Sequence, residues 1–320
     1  LSQPLAIGID IGGTQLRVAL VDGAGSIRKR TAVRTEAGAG PAAVIAQIAG
    51  LVAEVVGEID RSALLGAGVS CPGPLDTITG TALGIPTLAG WSDIPVAAMI
   101  EAALQLPVRL ENDGIAAANG EWRFGAGRGL DNLVYVTVST GIGGGIVADG
   151  HLIHGRRGMA GHIGHMIVAR DGAVCSCGNR GCWEAYASGT AFAAAAAKAA
   201  GAKGPFPEAK AVFDAAREGD TVALSLVAEE AEWLGVGLIS LVHLYSPQKI
   251  IIGGGLANGF DLLAPGIAKR LAQGAMPAFR DVEVAPATLG DNPGLIGAAA
   301  LWFSHQKFPT NEQERSTTAA

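Results

Sequence analysis

Apolar and polar positions alternate along this chain in two ways. Short apolar runs close on acids or glycines, and longer stretches carry apolar residues at helical spacing. Leu5-Ala6-Ile7-Gly8-Ile9 is an unbroken run ending at Asp10, which predicts a buried strand. A Gly12-Gly13 turn and the run from Leu16 to Val21 predict a returning strand, and Asp22-Gly23 signals a hairpin into a third strand over 27–33. Pro41 opens a predicted helix over 41–56, with Val44, Ile45, Ile48, Leu51, Val52 and Val55 on one face. Strands follow at 66–70, broken by Pro72-Gly73-Pro74, and at 107–110.

The order then repeats. A strand over 133–138, a glycine turn over 141–145, a strand over 145–148 and Asp149-Gly150 before 151–153 match the opening segment element for element. Five elements in one order favour an internal duplication. Helices are predicted over 191–200, 221–244, 261–272 and 293–303, with strands at 249–252 and 282–285. The polar stretch 305–320 reads as a disordered tail.

A length of 320 residues exceeds one comfortable core, so two domains are expected. No apolar run reaches membrane-spanning length and the chain opens directly on a strand, which points to a soluble cytoplasmic protein without membrane partners. Four cysteines suit a reducing compartment, with Cys71 a small buried residue. A net charge of −6 without a basic, aromatic-interleaved patch argues against nucleic acid as a partner.

Three stretches carry chemistry. His165 followed by Cys175-Ser176-Cys177-Gly178 and Gly181-Cys182 offers three thiols and an imidazole, the ligand set of a closed tetrahedral Zn2+ site; a disulfide or unconnected buried thiols are the alternatives. His162 and Glu184 flank it. Asp10-Ile11-Gly12-Gly13-Thr14, the Thr140-Gly141-Ile142-Gly143 loop and the glycines around Gly254 each follow a strand, where backbone N–H groups can approach phosphate oxygens. Together they suggest a nucleotide held by three loops, with Asp10 placed for Mg2+ and Thr14 as a hydroxyl donor. Glu111-Asn112-Asp113 sits at a strand-to-helix junction, where Asp113 is either a general base or, with Asn112, part of a helix cap.

Taken in order, Asp10-Ile11-Gly12-Gly13-Thr14, Glu111-Asn112-Asp113, Thr140 to Gly145, Gly161-His162-Ile163-Gly164-His165 and the Cys175–Cys182 motif with Glu184 resemble the ROK family (repressor, open reading frame, kinase). The resemblance implies an α/β, actin-like ATPase (ribonuclease H-like) fold with two lobes around a cleft: a smaller lobe of 1–112 plus 293–304 and a larger one of 113–292. It implies a homodimer and ATP-dependent phosphorylation of a sugar, with Asp113 as general base. Asn112, His165 and Glu184 would bind sugar hydroxyls, and His165, Cys175, Cys177 and Cys182 would hold zinc. His162 stands where family glucokinases carry Glu, a version that resembles bacterial N-acetylmannosamine kinases; glucokinase and N-acetylglucosamine kinase are the alternatives. Thr87 stands where an Asn contacting the sugar is common, and Gln15 where Lys is common. A repressor of the family would need a DNA-binding domain ahead of Asp10, for which the sequence has no room.

Overall fold

The computed structural model describes residues 3–199, 206 and 208–303; the expected tail, 305–320, lies outside them. In chain order the strands and helices are β1 (Leu5–Ile11), β2 (Gln15–Asp22), β3 (Ile27–Arg34), α1 (Pro41–Val56), β4 (Leu64–Cys71), β5 (Leu75–Asp76), β6 (Thr81–Ala82), α2 (Val96–Leu104), β7 (Val108–Asn112) and α3 (Asp113–Phe124). Then come β8 (Leu133–Val138), β9 (Ile142–Ala148), β10 (His151–Leu152), α4 (Glu184–Ala187), α5 (Gly189–Ala199), α6 (Ala209–Arg217), α7 (Thr221–Tyr245), β11 (Lys249–Gly253), α8 (Phe260–Gly274), β12 (Glu283–Pro286) and α9 (Pro293–Ala300). They form two compact units. The first holds residues up to Asp131, Gly150–Ala160 and the chain from Thr288; the second holds Asn132–Asp149 and Gly161–Ala287.

In the first unit the strands lie in the order β3-β2-β1-β4-β7, antiparallel through β1 and parallel from β1 to β7. Strand alternation buries two faces. Ile7, Ile9, Leu16, Val18 and Leu20 join the apolar face of α1 (Val44, Ile48, Val52) in one core. Ala6, Ala19 and Val21 point the other way, onto Leu295 and Ala299 of α9. α3 packs on α9 at very short range, since a Cβ at Gly120 would strike the Pro293 carbonyl and one at Gly297 that of Ala116. That packing places α3 in the first unit, whereas the expected division at 112/113 assigned it to the other lobe.

The second unit repeats the pairing directions. Its strands run β9-β8-β11-β12, with β9 antiparallel to β8 and the other neighbours parallel. The order antiparallel, parallel, parallel thus matches β2-β1-β4-β7, as the sequence repeat suggests. The glycine turn is shorter than expected: Ser139 N–H donates to Gly141 O at 2.9 Å, and β9 already begins at Ile142. α9 ends at Ala300 rather than 303, and α2 and α6 were not anticipated.

One buried group works against this packing. Glu230 on α7 is 3% exposed, and its Oε1 has no hydrogen-bond partner among the described residues. It lines a cavity of about 20 Å³ with Tyr186, Phe192, Leu226 and Trp233. Burial, aided by Glu229, holds its carboxyl well above the usual carboxylate range. The unfolded chain sheds that proton near the ordinary glutamate value, so the native state loses stability as pH rises past it. Glu230→Met should therefore stabilise the protein by about 1 kcal/mol at neutral to basic pH and by less in mild acid, measured as Tm across pH.

Candidate active site and metal cluster

Parallel pairing builds the first half of the site. Asp10 of β1 lies opposite Ser70 of β4, and Cys71 lies opposite Asn112 of β7. The carboxyl ends of three neighbouring strands therefore present Asp10, Cys71 and the Glu111-Asn112-Asp113 corner along one sheet edge, where α/β folds gather ligands. Asp10 accepts from Ser70 Oγ at 2.8 Å and faces Arg17 at 3.5 Å. Burial raises its carboxyl above the usual value, with Ser70 and then Arg17 pulling the other way. An oxygen donor set of this kind suits a hydrated Mg2+.

The β1–β2 turn is tied down by a residue the sequence did not single out. Thr35 Oγ1 donates to Gly12 O at 2.6 Å, and Thr35 N–H donates to Thr14 O at 3.0 Å. Gln15 also finds a task, since its Oε1 accepts from Arg17 Nε at 2.8 Å. Gln15 thereby orients the guanidinium that faces Asp10, and a cation enters from position 17. Thr87 sits against Gly13; an added Cβ there would lie 2.9 Å from that of Thr87. Thr14 and Thr87 are both exposed.

The two readings of the Asn112-Asp113 corner separate cleanly. Asn112 is the N-cap of α3: its Oδ1 accepts from Gly114 N–H at 3.0 Å and Ile115 N–H at 3.4 Å. Its amide NH2 is then the group left to meet a ligand. Asp113 is the first helical residue and is exposed, with Oδ1 accepting from Gly114 N–H at 2.8 Å. A helix N-terminus favours its ionised form. Just behind them Glu111, 2% exposed, accepts from Asn112 N–H at 2.9 Å through Oε1, and its Oε2 lies 2.9 Å from His154 Nε2. Cys71 is fully buried; burial, then the charges of Asp113 and Asp10, push its thiol well above the usual range, which leaves it inert.

The second unit assembles the cysteine motif. The donor atoms of His165, Cys175, Cys177 and Cys182 all lie within 4.8 Å of one another. Cys177 Sγ and Cys182 Sγ are 3.7 Å apart, as are Cys175 Sγ and His165 Nδ1. Zinc–sulfur bonds of about 2.3 Å in a tetrahedron would space ligands about 3.8 Å apart, so the set fits such an ion. The disulfide alternative fails, because all three thiols are free. Burial, then hydrogen bonds with Cys177 and Cys175, push the Cys182 thiol up to about 12; a bound cation is what would make it a thiolate.

This knuckle is anchored and aimed. Trp183, fully buried, donates through Nε1 to Trp233 O of α7 at 2.8 Å, and Ala173 N–H donates to Tyr186 Oη at 2.7 Å. Glu184 Oε1 accepts from Ser176 Oγ at 2.9 Å, while Oε2 accepts from Ile142 N–H at 2.9 Å. The carboxylate lies so close over Gly141 that a Cβ there would strike it. Thr140 O accepts from Thr190 Oγ1 at 2.7 Å. Gly254, at φ 82°, sits against Val138 O, so its loop and the Thr140-Gly141 turn share the carboxyl ends of β8 and β11. Gly143 does not join them: it lies inside β9 opposite Thr137. His162 is exposed, with its ring stacked 6.4 Å from that of His165. The expected site residues thus fall into two groups. Asp10, Gly12, Gly13, Thr14, Thr87, Asn112 and Asp113 belong to the first unit, and Thr140, Gly141, Gly254, His162, His165, Glu184 and the cysteines to the second.

The ROK family model matches residues 6–305. The chain belongs to the ROK family. A glucokinase of Halalkalibacterium halodurans is 35% identical over 326 residues, covering 97% of this chain and 98% of that protein. An N-acetylmannosamine kinase of Yersinia pestis is 37% identical over 298 residues, covering 92% and 97%. The crystal structure of a ROK family glucokinase from Streptomyces griseus, in complex with glucose and AMPPNP, matches with a TM-score of 0.81 at 36% identity over 93% of this chain and 98% of that one. This ROK protein therefore has the two-unit, actin-ATPase-like α/β fold expected of it and is a phosphotransferase, a sugar kinase of that family. Among the described residues no helix is long and apolar enough to cross a membrane.

The division of labour at the corner is measurable. Asn112→Ala should cost about 1 kcal/mol in denaturant unfolding by removing the α3 cap. Asp113→Asn, at an exposed position, should change stability by less than about 0.5 kcal/mol.

Proposed function

We propose that this ROK kinase transfers the γ-phosphoryl group of ATP to the 6-hydroxyl of glucose or a close relative. The observation that carries the reading is Asp113: an exposed carboxylate at the N-terminus of α3, relieved of capping by Asn112, on the same sheet edge as Asp10. Asp113 accepts the hydroxyl proton as that oxygen attacks the γ-phosphorus, and ADP departs. In the first unit Asn112, through Nδ2, and Thr87 are the groups to orient a sugar; in the second unit the candidate sugar ligands are His162, His165 and Glu184. In the first unit the backbone N–H groups of Gly13 and Thr14 would donate to phosphate oxygens, that of Gly12 being taken by Gln15 O at 3.0 Å; in the second unit the candidate donors are the N–H groups of Thr140, Gly141 and Gly254. Asp10 would hold Mg2+, which would supply charge neutralisation on the transferring group. Zn2+ in the His165-Cys175-Cys177-Cys182 set is structural, because four protein donors leave no open position.

Full-length similarity to glucokinases, one of them described with glucose, supports glucose ahead of the N-acetylmannosamine expected from His162. N-acetylmannosamine stays as the second reading for one reason. A neutral imidazole at 162 offers one donor and one acceptor where a carboxylate accepts twice, which weakens recognition of two vicinal hydroxyls.

A panel of glucose, mannose, N-acetylmannosamine and N-acetylglucosamine, assayed by ADP release, tests the reading. Glucose should give the highest kcat/KM; a larger value for N-acetylmannosamine selects the second reading, and turnover of no sugar rejects both. Asp113→Asn should lower kcat by about a hundredfold to ten-thousandfold while retaining sugar binding by calorimetry. For the metal, elemental analysis should find zinc that Cys182→Ser loses, and chelation should lower activity in step with zinc removed. Full activity in zinc-free protein would refute a structural role.

A further inference from the structure

Glu111 and His154 have no part in the chemistry above, yet they sit directly behind it. Glu111 is a buried carboxylate with one oxygen on the backbone N–H of Asn112 and the other 2.9 Å from His154 Nε2. Asn112 in turn caps the helix whose first residue is Asp113. His154, half exposed, comes from the Gly150–Ala160 segment of the same unit, and its carbonyl accepts from Ala160 N–H at 3.0 Å. We propose that His154, acting through Glu111, is a positioning residue that holds the Asn112-Asp113 corner in its working geometry. The proposal rests on the reading of Asp113 as general base.

The physical case is one of charge compensation. A carboxylate this deeply buried is costly unless paired and hydrogen-bonded on both oxygens. Glu111 receives one backbone N–H and one imidazole, and the imidazole is its only short cationic partner among the described residues. The other ionisable groups on neighbouring elements are Asp10 on β1, Cys71 on β4 and Asp113 on α3, together with Asp76 and Arg157, which pair with each other at 3.4 Å. Three carboxylates thus share the region with Arg17, which faces Asp10, and His154, which faces Glu111. The hydrogen bond to Glu111 raises the His154 pKa above the ordinary histidine value. A base whose folded pKa is raised contributes fully below its unfolded pKa and loses that contribution as pH rises through the folded one. Deprotonation turns a charge-assisted hydrogen bond into a neutral-donor one, roughly halving its strength. Glu111 then holds the Asn112 N–H less firmly, and the carboxylate at 113 drifts from the reacting hydroxyl.

The test uses the full chain with its best sugar and saturating ATP, with His154→Gln and His154→Ala beside wild type. Wild-type kcat should fall on an alkaline limb lying above the ordinary histidine range. His154→Gln keeps a donor but cannot titrate, so its profile should lack that limb. Its kcat should be roughly tenfold lower in the plateau, with both KM values little changed, because misplacement of a catalytic group acts on turnover. His154→Ala should fall further, towards a hundredfold. A His154→Gln enzyme within twofold of wild type, or one retaining the limb, overturns the positioning role. Tm against pH gives a readout independent of turnover: wild type should lose stability across the same limb, and His154→Gln should not. Wild type that phosphorylates no sugar is failure of the kinase reading, visible before any variant is made. A Tm limb that persists in His154→Gln is failure of the pair.

Discussion

The constraint that shapes the first unit is the placing of three carboxyl groups at the ends of parallel strands. Asp10, Glu111 and Asp113 are brought together by register, since β1, β4 and β7 run the same way and end level. Like charges so placed repel, and burial penalises them further. Each is compensated differently. Asp10 has Ser70 and Arg17, Glu111 has a backbone N–H and His154, and Asp113 has a helix N-terminus and solvent. Asp113 is the least buried of the three. The capping work at the start of α3 falls to Asn112, whose side chain takes the N–H groups of Gly114 and Ile115.

The second unit uses the same strand directions for another purpose. Its edge carries glycine turns, and a carboxylate, Glu184, is brought in by the cysteine knuckle. A loop this short buries little apolar surface of its own beyond Trp183, so it needs a cross-link to hold its shape. Four donors converge there in a set that an ion could cross-link, and α7 supplies an anchor through Trp233. Because Glu184 follows Cys182 by only two positions, order at the cluster becomes order at the Gly141 turn. The cysteine cluster and the Gly141 turn are therefore mechanically linked within this unit.

Much of this was legible in the residue pattern. α1 ran as read because Pro41 fixes its start and its apolar stripe matches one face of the sheet. The cysteine cluster was legible because its donors are close in sequence, and α7 because apolar residues recur at helical spacing over 221–244. Illegible were contacts made across long separations. Arg17 meets Asp10 only through antiparallel register, Thr35 reaches back to Gly12, and His154 finds Glu111 from a distant segment. The second glycine turn was misread because glycines usually signal loops. Gly143 to Gly145 instead lie in a strand, and Gly144 crowds the Tyr135 carbonyl so closely that no side chain fits. The boundary at 112/113 failed for a related reason: α3 follows β7 directly, but its packing partner α9 is far along the chain.

Departures from the family pattern differ in how they are absorbed. Gln15 in place of a lysine looks like a loss on the phosphate side, yet it orients Arg17, and a fixed guanidinium forks towards Asp10 and the Asp291 carbonyl. The charge is moved, not removed. His162 has no such local substitute. It is exposed and stacked on His165, whose Nδ1 is turned to the cysteines, so a pair of imidazoles stands where a carboxylate would otherwise be. An imidazole pair can accept only where it is neutral and donate only where it is protonated at that nitrogen. A histidine at 162 therefore differs from a carboxylate in carrying a donor beside its acceptor, and a hydroxyl pair read through this position would have to match both.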